Sequence, residues 1–145
     1  MSDRIGRAVL GFVAGALAVL TFHQGIIGLL HATHVIDFTA YSMSPVPPFG
    51  VPRVFDLAFW GGAWGVLYGL VSPGLPGPEW LKGIGLGVAA NLVAWFVIAP
   101  LRGQPLIHGW AARPIELGLL INCFWGLGVG LIFPSMIRGG RLARA

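Results

Sequence analysis

Charge is what this sequence has least of. Only 10% of its 145 residues are Asp, Glu, Lys or Arg, where soluble domains carry roughly 25%. So few charges cannot solvate the whole surface of a water-soluble domain. Cysteine is nearly missing as well. Cys123 is the single one, which excludes an intrachain disulfide and any metal site built on several thiolates. Lys82 is the one lysine among nine cationic residues, and this Arg-, Ala- and Gly-rich usage fits a GC-rich bacterial genome. A phosphate loop is absent: Gly83-Ile84-Gly85-Leu86-Gly87 lacks both the third-glycine spacing and the preceding strand of a dinucleotide site. The formal net charge of +4 is spread over segment ends and not over one face. It therefore reads as a topology signal and excludes a nucleic-acid partner.

Apolar residues, glycine and tryptophan are what the chain has instead. Fifty-six per cent of it is hydrophobic, with 23 glycines and six tryptophans. Four apolar runs, at about 8–30, 54–71, 83–101 and 114–133, are each long enough to cross a hydrocarbon core of about 30 Å. The expectation is one all-α domain over 1–145, an integral membrane bundle of four transmembrane helices in contact with the lipid bilayer. The first run exceeds the roughly 7–15 residues of a signal-peptide core and precedes no small-x-small cleavage site, so it reads as a span. Between the first two runs lies an outer loop, 31–53, with Pro45, Pro47, Pro48 and Pro52. Proline at that density excludes a regular helix and predicts a stiff, extended cap over the bundle mouth.

Four spans place both termini on one side. That side carries Arg4, Arg7, Lys82, Arg138, Arg141 and Arg144, and the other carries Arg53, Arg102 and Arg113. The positive-inside bias puts both termini in the cytoplasm of a bacterial inner membrane.

Glycine recurs every four residues at Gly61, Gly65 and Gly69, and Gly118, Gly126 and Gly130 share a stripe with Asn122. In water such stripes weaken a helix; in lipid they let two backbones approach closely. Trp64–Pro73 and Trp125–Pro134 both fit W-G-x-x-x-G-L-(V/I)-x-P. This supports a parallel duplication of two helical hairpins, each second helix ending at its proline; the alternative is chance recurrence among Gly- and Trp-rich segments.

Polar groups inside the apolar runs are the functional candidates, because they are costly there. His23, Gln24, Asn91 and Asn122 are candidates for a polar path or ligand site, and hydrogen bonding between helices is the plainer role for the two asparagines. A second group, His31, His34, Asp37, Arg53, Asp56, Arg102, His108 and Glu116, falls at the outer mouth. If the first helix continues through 34, His23, His31 and His34 share one face. Imidazole and carboxylate suit zinc or copper, but the spacing matches no metal motif, and no metal or cofactor is expected. Arg53, Arg102 and Arg113 are positioned to pair with Asp37, Asp56 and Glu116. No nucleophile–base pair is legible, so an enzyme is not expected.

Phe22-His23-Gln24-Gly25, Pro47-Pro48-Phe49-Gly50-Val51-Pro52 and Phe59-Trp60-Gly61-Gly62-Ala63-Trp64-Gly65 resemble uncharacterised small four-helix inner-membrane proteins of proteobacteria. That resemblance covers most of the chain and implies architecture and location, with no activity. Small multidrug transporters have a similar size, but their membrane-embedded glutamate is missing from the first helix. Three functions follow in order: a non-enzymatic structural or accessory membrane component, assembling as a homodimer or within a larger complex; a small dimeric transporter or channel; and a metal- or quinone-binding redox protein.

Overall fold

Four long helices carry most of the backbone in the computed structural model, which describes residues 2–142. They are α1 (Asp3–Ala32), α2 (Arg53–Gly74), α3 (Glu79–Leu101) and α4 (Ala112–Gly139), and all four are long and apolar enough to cross a membrane. Two two-residue strands, β1 (Pro45–Val46) and β2 (Val51–Pro52), pair antiparallel in the outer loop. The proline-rich stretch is therefore a small ribbon set on an otherwise all-helical chain.

Most helix ends lie beyond the apolar runs, and three of them show a local reason involving proline. Pro78 is extended and leads straight into a helix whose first turn holds Glu79, so Trp80 and Lys82 are helical and not part of the preceding turn. Pro52 plays the same part before Arg53. Pro134 does not end α4; helical backbone continues through the span's end at Gly139 and on to Leu142. A proline inside a helix removes one backbone hydrogen bond, and packing neighbours can carry that loss. Arg144 lies outside the described residues.

The helices associate as two antiparallel pairs. α1 lies along α2, α3 lies along α4, and the pairs meet mainly through α1 and α4, whereas α2 and α3 barely touch. Glycine sets both seams. A Cβ on Gly65 would run into the Gly11 carbonyl, and one on Gly61 would meet Val19. In the other pair, a Cβ on Gly126 would run into the Gly83 carbonyl, and one on Gly87 would meet the Asn122 backbone. At such close approach no other residue fits without separating the helices. Between the pairs the core is formed by Ala14, Ala18, Val19, Tyr68, Leu86, Trp125, Val129 and Phe133. The Trp125 indole N–H donates to the Gly15 carbonyl at 3.1 Å, tying α4 to α1.

The outward surface is apolar. Val9, Val13, Leu17, Phe59, Trp60, Leu70, Phe96, Val97 and Leu131 are all exposed. At the end where the termini lie, polar groups close the bundle. Tyr68 donates its hydroxyl to Glu79 Oε2 at 2.8 Å, and Lys82 Nζ lies 2.6 Å from Glu79 Oε1 and donates to the Ser72 carbonyl at 3.0 Å. Arg7 donates to the Gly69 carbonyl at 2.9 Å and to Ser72 Oγ at 3.1 Å. Ser72 is thereby satisfied although buried, as a polar group at such a site must be.

Candidate functional site

The opposite end of the bundle is open. A half-open cavity of about 690 Å³ lies between α1, the start of α2, α4 and the outer loop. Its wall includes His23, Gln24, Asp37, Arg53 and Asn122, with Ser42, Ser44 and Thr39 from the loop and Ile27, Phe38, Leu57 and Ile121 as apolar surface.

Helix irregularity and loop docking shape this wall together. α1 passes through a π-helical turn at Val19–His23, a form that loosens the regular backbone ladder and re-aims side chains. The Leu20 carbonyl within that turn accepts the Tyr41 hydroxyl at 2.7 Å. The Tyr41 backbone N–H, which can only donate, lies 2.7 Å from Gln24 Oε1. The Gln24 amide orientation is thus fixed, and its Nε2 faces His23 Nδ1 at 3.3 Å. Since Nε2 donates, Nδ1 accepts, and a neutral His23 carries its proton on Nε2. Both ends of Gln24 are engaged, Oε1 in holding the loop and Nε2 in orienting His23, so it is a strut more than a ligand contact. The loop's return is fixed by Arg53 N–H to the Ser44 carbonyl at 3.0 Å and Val54 N–H to the Ser42 carbonyl at 3.1 Å.

The floor is an amide pair. Asn122 Nδ2 donates to Asn91 Oδ1 at 2.9 Å, and Asn91 Nδ2 donates to the Gly87 carbonyl of its own helix at 3.1 Å. Asn91 is buried, and Gly118 lies beside the pair, a Cβ there coming within 3.2 Å of Asn91 Oδ1. Asn122 reaches the cavity and Asn91 lies behind it.

The outer-mouth residues do not gather as one cluster. Asp37 and Arg53 line the cavity; His31, His34, Asp56, Arg102, His108 and Glu116 are not part of its wall. α1 ends at Ala32, and His34 takes a left-handed backbone with φ 58°, so the three histidines do not share a helical face. His31 Nδ1 lies 3.3 Å from the Ile36 carbonyl. His108 sits on a separate turn, Leu106–Trp110, whose residues Ile107–Gly109 all have positive φ. Among the described residues no three His, Cys, Asp or Glu stand together as metal ligands. The pairing of Arg53, Arg102 and Arg113 with Asp37, Asp56 and Glu116 is also corrected. Lys82–Glu79 is the one salt bridge among the described residues, and Arg113 donates instead to the Val35 carbonyl.

Two groups of working residues escape a reading by sequence. Tyr41 carries no local signal for a contact reaching back to Leu20 and Gln24. Glu79 and Lys82 are spaced as helical neighbours, which was the available signal for the network that Tyr68 and Arg7 join. Chemically, the cavity offers hydrogen-bond donors and acceptors with one charge of each sign, and no hydroxyl or thiol in its wall is hydrogen-bonded to His23. No protein-family profile, curated protein or solved structure matches this chain.

Proposed function

We propose that this chain is a multi-pass integral membrane protein of a bacterial inner membrane, acting as a non-enzymatic accessory component whose outer cavity binds and does not conduct. Support for insertion comes from the four long apolar helices and the exposed apolar side chains along them. Lipid solvates such a surface, whereas in water so large an apolar area promotes association. The cation distribution favours both termini in the cytoplasm, which turns the cavity outward.

The observation that carries the binding role is that the cavity wall stops at Asn122. Beyond it the Trp125–Gly15 hydrogen bond and the buried cluster through Val129 and Phe133 fill the centre of the bundle. A conduit would need polar, hydrated positions there, and those positions are apolar and closed.

The two hairpins read best as a duplication. Gly11 and Gly15 stand to Gly65 as Gly83 and Gly87 stand to Gly126, so both seams have the same register. Both hairpins also carry a π-helical turn in the first helix, at Val19–His23 and Ala94–Ile98.

The test is native mass spectrometry of the full-length protein ejected from lipid nanodiscs, paired with solute-flux and conductance assays in vesicles. A bound small molecule or co-purifying partner, with no flux above empty vesicles, is the expected result. A bare homodimer that passes ions or solutes would overturn the accessory role in favour of a small transporter or channel.

A further inference from the structure

Arg53 and Asp37 line one cavity, yet neither is paired. They do not come within 4 Å of each other, and no other salt bridge among the described residues takes either one. A bound anion would leave the Asp37 carboxylate uncompensated beside it, and a bound cation would do the same to Arg53. A ligand carrying both charges satisfies both at once, which is the ordinary requirement for desolvating charged groups.

We propose that the outer cavity is a binding site for a small zwitterion, a molecule bearing an ammonium and a phosphate or carboxylate a few atoms apart. This rests on the reading of the cavity as a binding site. Arg53 takes the anionic group, because a guanidinium presents a planar fork of donors matched to phosphate and carboxylate oxygens. Asp37 takes the ammonium. His23 adds a donor, since Gln24 occupies Nδ1 and leaves Nε2–H. Asn122 adds an acceptor, since its Nδ2 is committed to Asn91 and its Oδ1 has no protein partner among the described residues. Phe38 and Leu57 supply apolar surface for the ligand's carbon skeleton. Both charged residues are exposed and lie on or beside the loop that Tyr41 anchors. The site is thus preformed but open to the outer surface.

This chemistry has two sources, a phosphatidylethanolamine headgroup and a free solute of the same kind. The probes that separate the terms are glycerophosphoethanolamine for the zwitterion, glycerol phosphate for the anion alone and ethanolamine for the cation alone. Each is titrated against the full-length protein in nanodiscs of phosphatidylglycerol and read by tryptophan fluorescence. Glycerophosphoethanolamine is expected to bind at least about tenfold tighter than either half, because each half engages only one of the two charged groups.

Asp37→Asn is expected to abolish the preference over glycerol phosphate while keeping the preference over ethanolamine, and Arg53→Gln to do the reverse. A purely structural role for either residue would not exchange the two preferences. In a parallel arm, native mass spectrometry from nanodiscs of mixed phosphatidylethanolamine and phosphatidylglycerol asks which lipid is retained. Retained phosphatidylethanolamine, released in both variants, assigns the site to lipid. Binding of the headgroup analogue with no retained lipid assigns it to a free solute. Equal binding of all three probes with no lipid preference, or preferences unchanged in both variants, overturns the proposal. Carbonate extraction of the same membranes reads the membrane assignment separately, so failure of that assignment is distinguishable from failure of the zwitterion site.

Discussion

The two hairpins share one glycine-set crossing and solve its outer end differently. In the first, Val19 lies over Gly61, and the nearby Gly15 carbonyl takes the Trp125 N–H. At the corresponding place in the second, an Asn91–Asn122 amide pair crosses the seam. One hairpin is held there by shape, the other by a hydrogen bond with an accessible end. Only the polar solution leaves a group facing the cavity, so the second seam serves both packing and site. Close backbone approach needs small residues and little else, while a polar crossing adds geometry and a route to function.

The largest expected effects come from breaking the crossings themselves. Gly65→Leu and Gly126→Leu each force a side chain into a facing backbone carbonyl, and overpacking of a rigid neighbour costs about 3 kcal/mol. Both variants should lose most folded protein, and to a similar degree, in reversible unfolding from lipid bicelles. A large loss in one hairpin alone would separate crossings that the structure makes alike.

Next comes the amide pair. Asn91→Leu leaves the Asn122 donor without its partner and should cost about 1–3 kcal/mol in the same assay. Replacing both partners, Asn91→Val with Asn122→Gly, imposes the first hairpin's solution on the second. That double variant should recover most of the loss, because removing both partners is far cheaper than orphaning one.

A smaller contrast separates the two tryptophans at the same place in each hairpin. Trp125→Phe removes the hydrogen bond to Gly15 and should cost about 1 kcal/mol. Trp64 has no hydrogen-bond partner among the described residues; half-buried, it packs against the core beside an apolar groove of about 410 Å³ between α2 and α3, and Trp64→Phe should cost less than Trp125→Phe because it trims packing area and breaks no hydrogen bond. The smallest effect is local. Tyr41→Phe loses the Leu20 hydrogen bond, and faster amide exchange over residues 37–44 should report a looser loop with global stability nearly intact.

The number and placement of the helices were legible because lipid-length apolar runs are a composition signal that tertiary contacts seldom override. Helix ends were less so. Pro78 and Pro52 permit helices to begin immediately after them, and Pro134 is carried inside α4, where the residue type alone suggested a stop. Irregular turns were not legible at all, since Val19–His23 and Ala94–Ile98 have nothing in their composition that marks a π-helical turn. The site followed the same division. Asn91, Asn122, His23 and Gln24 stood out as polar residues in apolar runs, whereas the loss of His34 from the face of the other two histidines depends on α1 ending at Ala32. Asp37 and Arg53 join the cavity through loop docking by Tyr41, a contact spanning residues whose local sequence does not announce it.

Single-cysteine labelling in intact cells tests the central claim most directly, that the cavity end faces outward from a four-span bundle with both termini inside. Cys123→Ala supplies the background, and Ser44→Cys at the cavity rim and Gly139→Cys near the end of α4 are probed with a membrane-impermeant maleimide. The expected result is immediate labelling at 44 and labelling at 139 only after permeabilisation. Labelling of both positions in intact cells, or of 139 alone, would contradict it.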